Sequence, residues 1–416
     1  MAHIERTSEP RRRAPRVLAA LGVLMLLASC DGGDGGGDGG VDTLAGRKRE
    51  ILGAVGENVV LPTLREAVTA ADALESAAQA HAADPSEANR MAAQAAFTDA
   101  MAVWQRAELM QLGPAGMGGA EGAVAGGMDL RDEIYSWDAT STCRIDQETV
   151  EDAHADPEAF ASEVVNVRGL DALEYLLFVE SPENTCTALS PINEEGTWDA
   201  LSEDAIRQRR ATYAHTVAVL VAQQAARLLD AWEPSGGGFV GELRTAGDGS
   251  ELFSSAQQGL NDLAGAMLYL DTQTRDMKLA VPAGISADCT SETCVDDLEA
   301  PFSGTSKDHV LANLRAFQAL YLGGPPETEA LGIDDLLVDV GSEMLATQLA
   351  EAIAAAITAV EAIDGTLRAA IEAGDPDGAV MDAYAAIGEA QRLFKVDVVT
   401  ALDIEPTGFG RVGDND

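Results

Sequence analysis

The sequence predicts an all-α protein built as two helical bundles. Most of the chain is filled with Ala, Leu, Glu, Gln and Arg, which favour helices, and alternating runs of β-branched residues are almost absent. Apolar residues recur at steps of three and four, the spacing that lines one face of a helix. A length of 416 residues with 46% hydrophobic content is enough for two domains with sizeable cores.

Residues 1–29 are predicted to be a lipoprotein signal peptide. RRRAPR precedes an apolar run from Val17 to Ala28, which is too short to span a bilayer. The run leads into LLASC, which resembles the bacterial lipobox, so Cys30 is expected to carry the acyl chains. Residues 30–43 would then form a flexible Gly/Asp tether behind the lipid. The alternative is a degenerate signal in which Cys30 is an ordinary thiol.

Four further cysteines indicate two disulfides rather than thiol chemistry. An exported chain meets an oxidising compartment, where an even number of cysteines is typical of disulfides. Cys289 and Cys294 enclose only TSET, which favours a local bond and leaves Cys143 with Cys186. A metal site built from these four cysteines is the alternative, but CxxC spacing is absent.

Residues 44–235 are predicted to form the N-terminal bundle. A helix from about 63 to 83 stops at the Asp-Pro pair that follows it, and a return helix ends in WQRAEL. Another helix is predicted over 203–231. The run EPSGGG at 233–238 is the best candidate for the domain boundary, because Pro and Gly interrupt regular structure.

Residues 236–408 are predicted to form the C-terminal bundle, followed by a disordered tail at 409–416. Apolar residues recur at helical spacing from 334 to 373, which predicts one long bundle helix ending at the following Gly-Asp-Pro. A second helix is expected from there to about Leu402.

The charge of the chain excludes nucleic acid as a partner. The chain has 27 basic and 69 acidic residues and a formal net charge of -42, which would repel nucleic acid and anionic lipid headgroups. The expected contact with a membrane is therefore through the lipid on Cys30. The expected location is the bacterial cell envelope, facing the periplasm, with inner and outer membrane both left open.

The segment VVNVRGLDALEYLLF at 164–178 contains the strongest candidate site. Its polar residues Arg168, Asp171 and Glu174 stand three apart, which predicts a polar stripe along a buried helix. A buried carboxylate needs a cation, hydrogen bonds or a metal. One alternative is a line of salt bridges, with Arg168 bound to Asp171 and Glu174 bound to an arginine of another helix. The other is a pair of oxygen ligands facing a cleft.

Several segments resemble the imelysin family. GLDALEYLLF is similar to the family signature, in which Gly, a variable residue, His, two variable residues and Glu precede an aromatic-Leu-Leu tail. Gly169 and Glu174 keep this signature, whereas Asp171 stands where the signature has His. Five further segments match in the same order along the chain: WQRAELMQLGPAG, LRDEIYSWDATSTCRIDQ, MKLAVPAG, LEAPFSGTSKDHVLANLRAFQALYLG and GIDDLL.

The resemblance implies a periplasm-facing lipoprotein of two helical bundles, with its site around the signature helix. Family members are classed as peptidases after an insulin-cleaving protein, and several relatives are iron-regulated or sit beside iron-uptake components. Asp171 replaces a nitrogen ligand by a hard oxygen ligand, which weakens a zinc site and favours iron, calcium or magnesium. The sequence also contains no HExxH pair of a zinc peptidase.

The candidate metal ligands are Asp171, Glu174 and Glu108, and Glu174 would be the ligand or general base of a peptidase. Glu108 could equally be a surface acid. His81 and His154 are expected to be solvated, and His309 to serve near a helix start. The residues expected to line the cleft are Arg168, Trp104, Arg131, Lys278 and Ser303.

Three functions follow from these observations. The first is a cell-envelope lipoprotein that binds a divalent metal, iron or a metal-bearing ligand, together with iron-uptake proteins of the envelope. The second is a metallopeptidase, and the third is a non-catalytic interaction scaffold. The first is favoured, because the altered signature removes the histidine that a zinc hydrolase would use.

Overall fold

The computed structural model describes residues 39–119, 123–137, 139–375 and 377–407, with side chains from residue 43 onward. The predicted signal peptide, Cys30, most of the tether and the predicted tail at 409–416 lie outside these residues. Every regular element of the described residues is a helix, and they contain no strand, which confirms the all-α class.

The chain contains seventeen α-helices in its described residues. In chain order they are α1 (Gly39–Val55), α2 (Leu61–Ala83), α3 (Glu87–Glu108), α4 (Leu130–Ile134), α5 (Thr142–Glu151), α6 (Pro157–Phe160), α7 (Gly169–Phe178), α8 (Pro191–Glu194), α9 (Glu203–Trp232), α10 (Phe239–Arg244), α11 (Ala256–Met267), α12 (Ser306–Leu322), α13 (Ile333–Asp339), α14 (Glu343–Glu361), α15 (Leu367–Glu372), α16 (Ala379–Arg392) and α17 (Val399–Ala401). Short 3-10 helices cover Gly113–Ala115, Ala153–Ala155, Val165–Val167 and Val295–Asp297. Wider π-helical segments cover Gly56–Val60, Leu270–Ala280 and Leu393–Val398.

A first group of helices forms around α2. Helices α1 and α2 form one continuous rod, because the π-helical turn between them keeps helical backbone angles. α2 packs against α3 and α9, and α7 is held between α9 and α3. The Ser202 hydroxyl accepts the Ala205 N–H at 3.2 Å and so caps the start of α9. The helices predicted over 63–83 and 203–231 are thus confirmed.

A second group contains α12, α14, α16 and the π-helical segment Leu270–Ala280. The prediction of one long helix over 334–373 is wrong, since α13, α14 and α15 divide this stretch. The chain turns at Gly341 and Gly365, whose φ angles are 80° and 68°. Glycine adopts such angles without the steric penalty of a side chain. The helix predicted up to about Leu402 is present, with a π-helical segment inside it.

One apolar core runs through both groups. It extends from Ile51 to Ile404, and α3 of the first group packs directly on α12 of the second. Residues from Val41 onward belong to one compact unit. The division into bundles at 44–235 and 236–408 stays a prediction.

One described helix, α14, is long and apolar enough to cross a membrane on length and composition. It packs against α16 and α12, with Leu349, Ile353 and Val360 buried. One face of α14 thus packs on the core while the other is exposed, which is the pattern of an amphipathic helix at the surface of a folded domain.

Candidate functional site

The signature helix α7 begins at a glycine that the backbone requires. Gly169 has a φ of 88°, and a Cβ added there would lie 3.0 Å from the Ile134 carbonyl oxygen. A side chain at this position would therefore be strained and crowded. The preceding residue, Arg168, is extended and lies outside the helix. The start of α7 thus lies in close contact with the end of α4.

Arg168 does not pair with the acids of α7. Its guanidinium binds the Glu133 carboxylate, with Nη2 at 3.1 Å from Oε1, and its Nε donates to the Glu163 carbonyl at 2.7 Å. The continuous helical stripe of Arg168, Asp171 and Glu174 is therefore wrong, and so is the salt bridge from Arg168 to Asp171. The reason is that the helix starts one residue after the arginine.

Asp171 is buried and is held by a backbone amide. Its Oδ2 accepts the Ser136 N–H at 2.9 Å. Burial raises the pKa of the Asp171 carboxyl well above its ordinary value, against the Ser136 amide and the Arg131 charge, which lower it. The negative form of this carboxylate is therefore poorly compensated in the protein.

Glu174 is held in the same manner by a different segment. Its Oε1 accepts the N–H groups of Ser303 at 2.7 Å and of Phe302 at 3.2 Å. Burial raises the pKa of Glu174, although the hydrogen bonds from Ser303 lower it. Among the described residues, no basic side chain forms an ion pair with Glu174 or Asp171. An arginine of another helix bound to Glu174 was the remaining salt-bridge alternative, and the described residues do not provide it.

Both carboxylates line one cavity of about 680 Å³. Six of its described lining residues are acidic and none is basic, while an apolar wall with two aromatic rings completes it. The lining residues are Trp137, Thr140, Thr142, Asp171, Glu174, Met277, Val281, Asp288, Asp296, Asp297, Leu298, Glu299, Pro301 and Phe302. The expected lining residues Arg168, Trp104, Arg131, Lys278 and Ser303 are not among them, although Ser303 holds Glu174 from behind.

A buried ion-pair network lies behind Glu299, the third acid of the cavity floor. The Lys278 ammonium is fully buried, 3.0 Å from Glu108 Oε2 and 2.8 Å from Glu299 Oε1. Arg131 Nη2 lies 3.0 Å from Glu108 Oε1. Glu108 is thus shared between two cations, and both of its oxygens are occupied. It is not a surface acid, and it is not a free metal ligand in this arrangement.

Glu299 is kept ionised by its neighbours. Burial on its own would raise the pKa of Glu299, but Lys278 and His309 lower it well below the ordinary value. The Tyr135 hydroxyl donates to Glu299 Oε1 at 2.7 Å, and His309 Nδ1 lies 3.0 Å from Oε2. The cavity floor therefore combines one stabilised carboxylate with the two poorly compensated ones on α7.

A chain of hydrogen bonds joins the two halves of the site. His309 Nε2 lies 3.0 Å from Thr305 Oγ1, which lies 2.8 Å from Ser303 Oγ. Ser303 in turn donates its backbone N–H to Glu174. His309 is therefore part of the site and does more than serve at a helix start. Its position in the segment LEAPFSGTSKDH, beside Glu299, is the sequence signal that could have indicated this role.

The other histidines differ from expectation in burial. His81 and His154 are buried, not solvated, and burial lowers the pKa of each imidazole. His154 stacks on Tyr213 with ring centroids 4.6 Å apart. Neither residue lines the acidic cavity.

The predicted metal ligands are not gathered around one point. Among the residues that the structure describes, no three His, Cys, Asp or Glu side chains lie close enough to hold one metal ion. Asp171 and Glu174 share the cavity, but Glu108 lies behind it with its two cations. The acids that sequence reasoning missed are Glu299 and, at the cavity mouth, Asp288, Asp296 and Asp297.

Both predicted disulfides are present. Cys143 is bonded to Cys186, and Cys289 to Cys294. The second bond closes the loop directly beside Asp288 and Asp296, so it fixes part of the acidic mouth of the cavity.

Comparison with known proteins gives a consistent family assignment. The family model of imelysin, peptidase family M75, matches residues 60–394. An iron-regulated protein A precursor from Parabacteroides distasonis has a crystal structure 18% identical, with a TM-score of 0.65 over 87% of this chain and 95% of that chain. An imelysin-like protein from Psychrobacter arcticus is 16% identical, with a TM-score of 0.64 over 87% of this chain and 97% of that one.

Both structures share the fold of this chain. At 18% and 16% identity, the similarity shows the fold alone. No curated protein matches the chain. The matched span begins in the π-helical turn after α1 and ends after α16, so it contains the signature helix, the buried ion-pair network and the cavity. On this match the chain belongs to the imelysin family.

Proposed function

We propose that this protein is an envelope lipoprotein that binds a metal ion or a metal-bearing ligand in the acidic cavity, in connection with iron uptake. One observation carries the proposal. Asp171 and Glu174 are buried, open into the same cavity and lack a basic partner among the described residues. A cation in the cavity would offset the unfavourable burial of their charges.

The chemistry of the lining supports a hard cation. The donors that face the cavity are carboxylate and hydroxyl oxygens, and its described lining contains no His or Cys. Oxygen donors suit calcium, magnesium, manganese and iron better than they suit zinc. Iron is the first ion to test, because the similar protein from Parabacteroides distasonis is named as iron-regulated.

The same features also support two roles for the surrounding residues. The carboxylate pair would supply ligand oxygens, while the amides of Ser136 and Ser303 would keep one oxygen of each acid in place. A cavity of about 680 Å³ is far larger than one ion needs, which leaves room for bound water or for an organic molecule that carries the metal.

Binding is tested by calorimetry on the unit that begins at Val41. The protein is stripped with chelator and titrated with Fe(II) under anaerobic conditions, Mn(II), Ca(II), Mg(II), Zn(II) and ferric citrate. Saturable binding is expected for the wild type and is expected to be lost in the pair Asp171→Asn, Glu174→Gln. The matched control is Glu351→Gln, an exposed acid on α14 that lies outside the cavity lining.

The same preparations separate binding from catalysis. A metal-loaded protein that digests casein, with activity lost in Glu174→Gln, would support the metallopeptidase instead. If the wild type takes up none of these ligands and digests nothing, the proposal is wrong and the interaction scaffold is left.

A further inference from the structure

We propose that the end of the molecule formed by α1 and the turn between α13 and α14 faces the lipid bilayer, with Val338, Val340 and Met344 in contact with it. The inference rests on the part of the proposed function that places the chain on a membrane through Cys30. It adds a lipid-contacting surface to the proposed lipid anchor at Cys30.

The α13–α14 turn exposes three large apolar side chains close together. Val338 is 45% exposed, Val340 37% and Met344 75%. The turn is tight, because the Gly341 N–H donates to the Val338 carbonyl at 3.0 Å and Gly341 takes a φ of 80°. These side chains therefore stay outside the core, and exposed apolar groups in one place are typical of a contact surface.

An ion pair connects this turn to the first helix of the chain. Arg47 Nε lies 2.7 Å from Asp339 Oδ2, and Asp339 stands between Val338 and Val340. Arg47 follows the start of α1 at Gly39 by eight residues, which is about 12 Å along a helix axis. The apolar turn is therefore beside the end of the molecule at which the chain arrives from Cys30.

The tether is too short to hold this end far from a membrane. Nine residue steps separate Cys30 from Gly39, so the distance between them is at most about 32 Å. With acyl chains on Cys30, α1 and the neighbouring turn are the first parts of the described chain to meet the bilayer.

The acid inside the apolar turn is paired within the protein. Asp339 lies 2.7 Å from Arg47, so its charge is offset there. The neighbouring acids Asp334, Asp335 and Glu343 leave no net positive charge at this end of the molecule. The proposed contact therefore depends on the acyl anchor and on the apolar side chains, not on attraction between charges.

A bilayer explains this surface better than a protein partner does. A stable protein interface buries about 800 Å² on each partner, far more than three side chains provide. A lipid-anchored protein needs only a weak additional contact, because the acyl chains supply the affinity.

The test uses the full lipidated protein in vesicles of phosphatidylethanolamine and phosphatidylglycerol that contain nitroxide-labelled headgroups. The four other cysteines are bonded in pairs, so the cysteine of Met344→Cys can be labelled selectively with an environment-sensitive fluorophore. Met91→Cys is the matched control, since Met91 is 58% exposed near the turn between α2 and α3, at the end of the α1–α2 rod remote from Gly39.

The label at 344 is expected to be quenched by the nitroxide lipids and shifted to the blue, while the label at 91 is neither. Equal, weak quenching at both positions on vesicle-bound protein would overturn the inference. Two other results would also overturn it. One is a Cys30 whose measured mass shows no acyl chains. The other is a label at 344 that becomes shielded in lipid-free protein as the protein concentration rises, which would indicate contact with a second copy. Calorimetry of Met344→Cys is expected to give wild-type ligand binding, so failure here is distinct from failure of the proposed ligand site.

Discussion

The buried acids of this chain differ in how their charge is compensated. Glu108 and Glu299 share the Lys278 ammonium, whereas Asp171 and Glu174 accept backbone amides without a basic partner among the described residues. A buried carboxylate without a compensating cation is unfavourable for folding, and such groups are typical of ligand-binding sites. The difference places the proposed ligand chemistry on α7.

The first prediction concerns Asp171→Asn. The raised folded-state pKa of Asp171 means that the native protein binds this proton more tightly than the unfolded chain does. Wild-type stability therefore falls as the pH rises from the ordinary carboxyl pKa of about 4 through the raised value. The amide has no proton to lose, so in metal-free buffer the variant is expected to be more stable than wild type at pH 7 by about 1 to 3 kcal/mol.

Urea unfolding at several pH values measures this difference. The gain is expected to vanish near pH 4, and Glu351→Gln is expected to show no comparable gain at pH 7. A wild type that is at least as stable as the asparagine variant at pH 7 would mean that the Asp171 charge is compensated.

The second prediction concerns Lys278→Met. This change leaves Glu108 and Glu299 buried with one cation fewer, and breaking a buried pair costs about 3 to 5 kcal/mol. Lys395→Met is the control, because Lys395 is half-exposed and pairs with Asp271 at 2.8 Å, where a loss below about 1 kcal/mol is expected. Equal losses in urea unfolding would contradict the network described here.

The sequence allowed the burial of Asp171 and Glu174 to be predicted, because both stand in an almost wholly apolar segment. It did not allow the pairing of Glu108 to be predicted. The partners of Glu108 come from Arg131 and Lys278, far away along the chain, and spacing within one helix contains no information about them.

At the scale of elements, helical periodicity locates helices better than it locates their ends. The apolar pattern continues through 334–373, yet the chain turns at Gly341 and Gly365. Each turn changes the direction of the chain without changing the spacing of its apolar residues. The breaks therefore depend on backbone angles that glycine permits, which a count of apolar positions does not detect.

The third prediction separates the two disulfides. The bond Cys143–Cys186 closes a separation of 43 residues and Cys289–Cys294 one of 5. On loop-closure entropy, replacing the first pair by serine costs about 4 kcal/mol and replacing the second about 2 kcal/mol. Urea unfolding measures both losses.

The order of the two effects is expected to reverse for ligand affinity, with the larger loss in the variant that lacks Cys289–Cys294. Cys289–Cys294 fixes the loop beside Asp288 and Asp296, so its replacement is expected to weaken binding in the cavity, while Cys143–Cys186 is expected to affect stability more than affinity. Weakened binding only in the Cys143, Cys186 variant would argue against the acidic mouth as part of the site.

At the scale of the whole molecule, the sequence predicts the helical class and the acidity but not how distant segments meet. The cavity is built from the segment 137–142, from α7 and from residues between Met277 and Phe302. The first two parts precede the third by about a hundred residues or more, and they meet because one apolar core runs through the chain. Contacts of this kind depend on packing, which local patterns do not specify.

The fourth prediction follows from the net charge of -42. Repulsion among like charges destabilises a compact chain, and salt screens it with a Debye length of about 10 Å at 0.1 M. Raising sodium chloride from low to moderate concentration is therefore expected to raise the midpoint of thermal unfolding. Asp171→Asn measured in parallel is expected to give the same slope, since screening acts on the whole surface. A midpoint that is insensitive to salt would mean that ion pairs already balance the surface charge.

The Cys289–Cys294 disulfide beside the cavity mouth also affects when the site becomes able to bind a ligand. Reductants in the cytosol keep cysteine pairs open, and such bridges form after a protein has crossed the membrane. We expect the loop beside Asp288 to take its final conformation only then. A newly synthesised chain is therefore expected to bind cytosolic metal ions weakly. Ligand affinity measured before and after mild reduction of the Cys289–Cys294 disulfide would show whether binding depends on this bond.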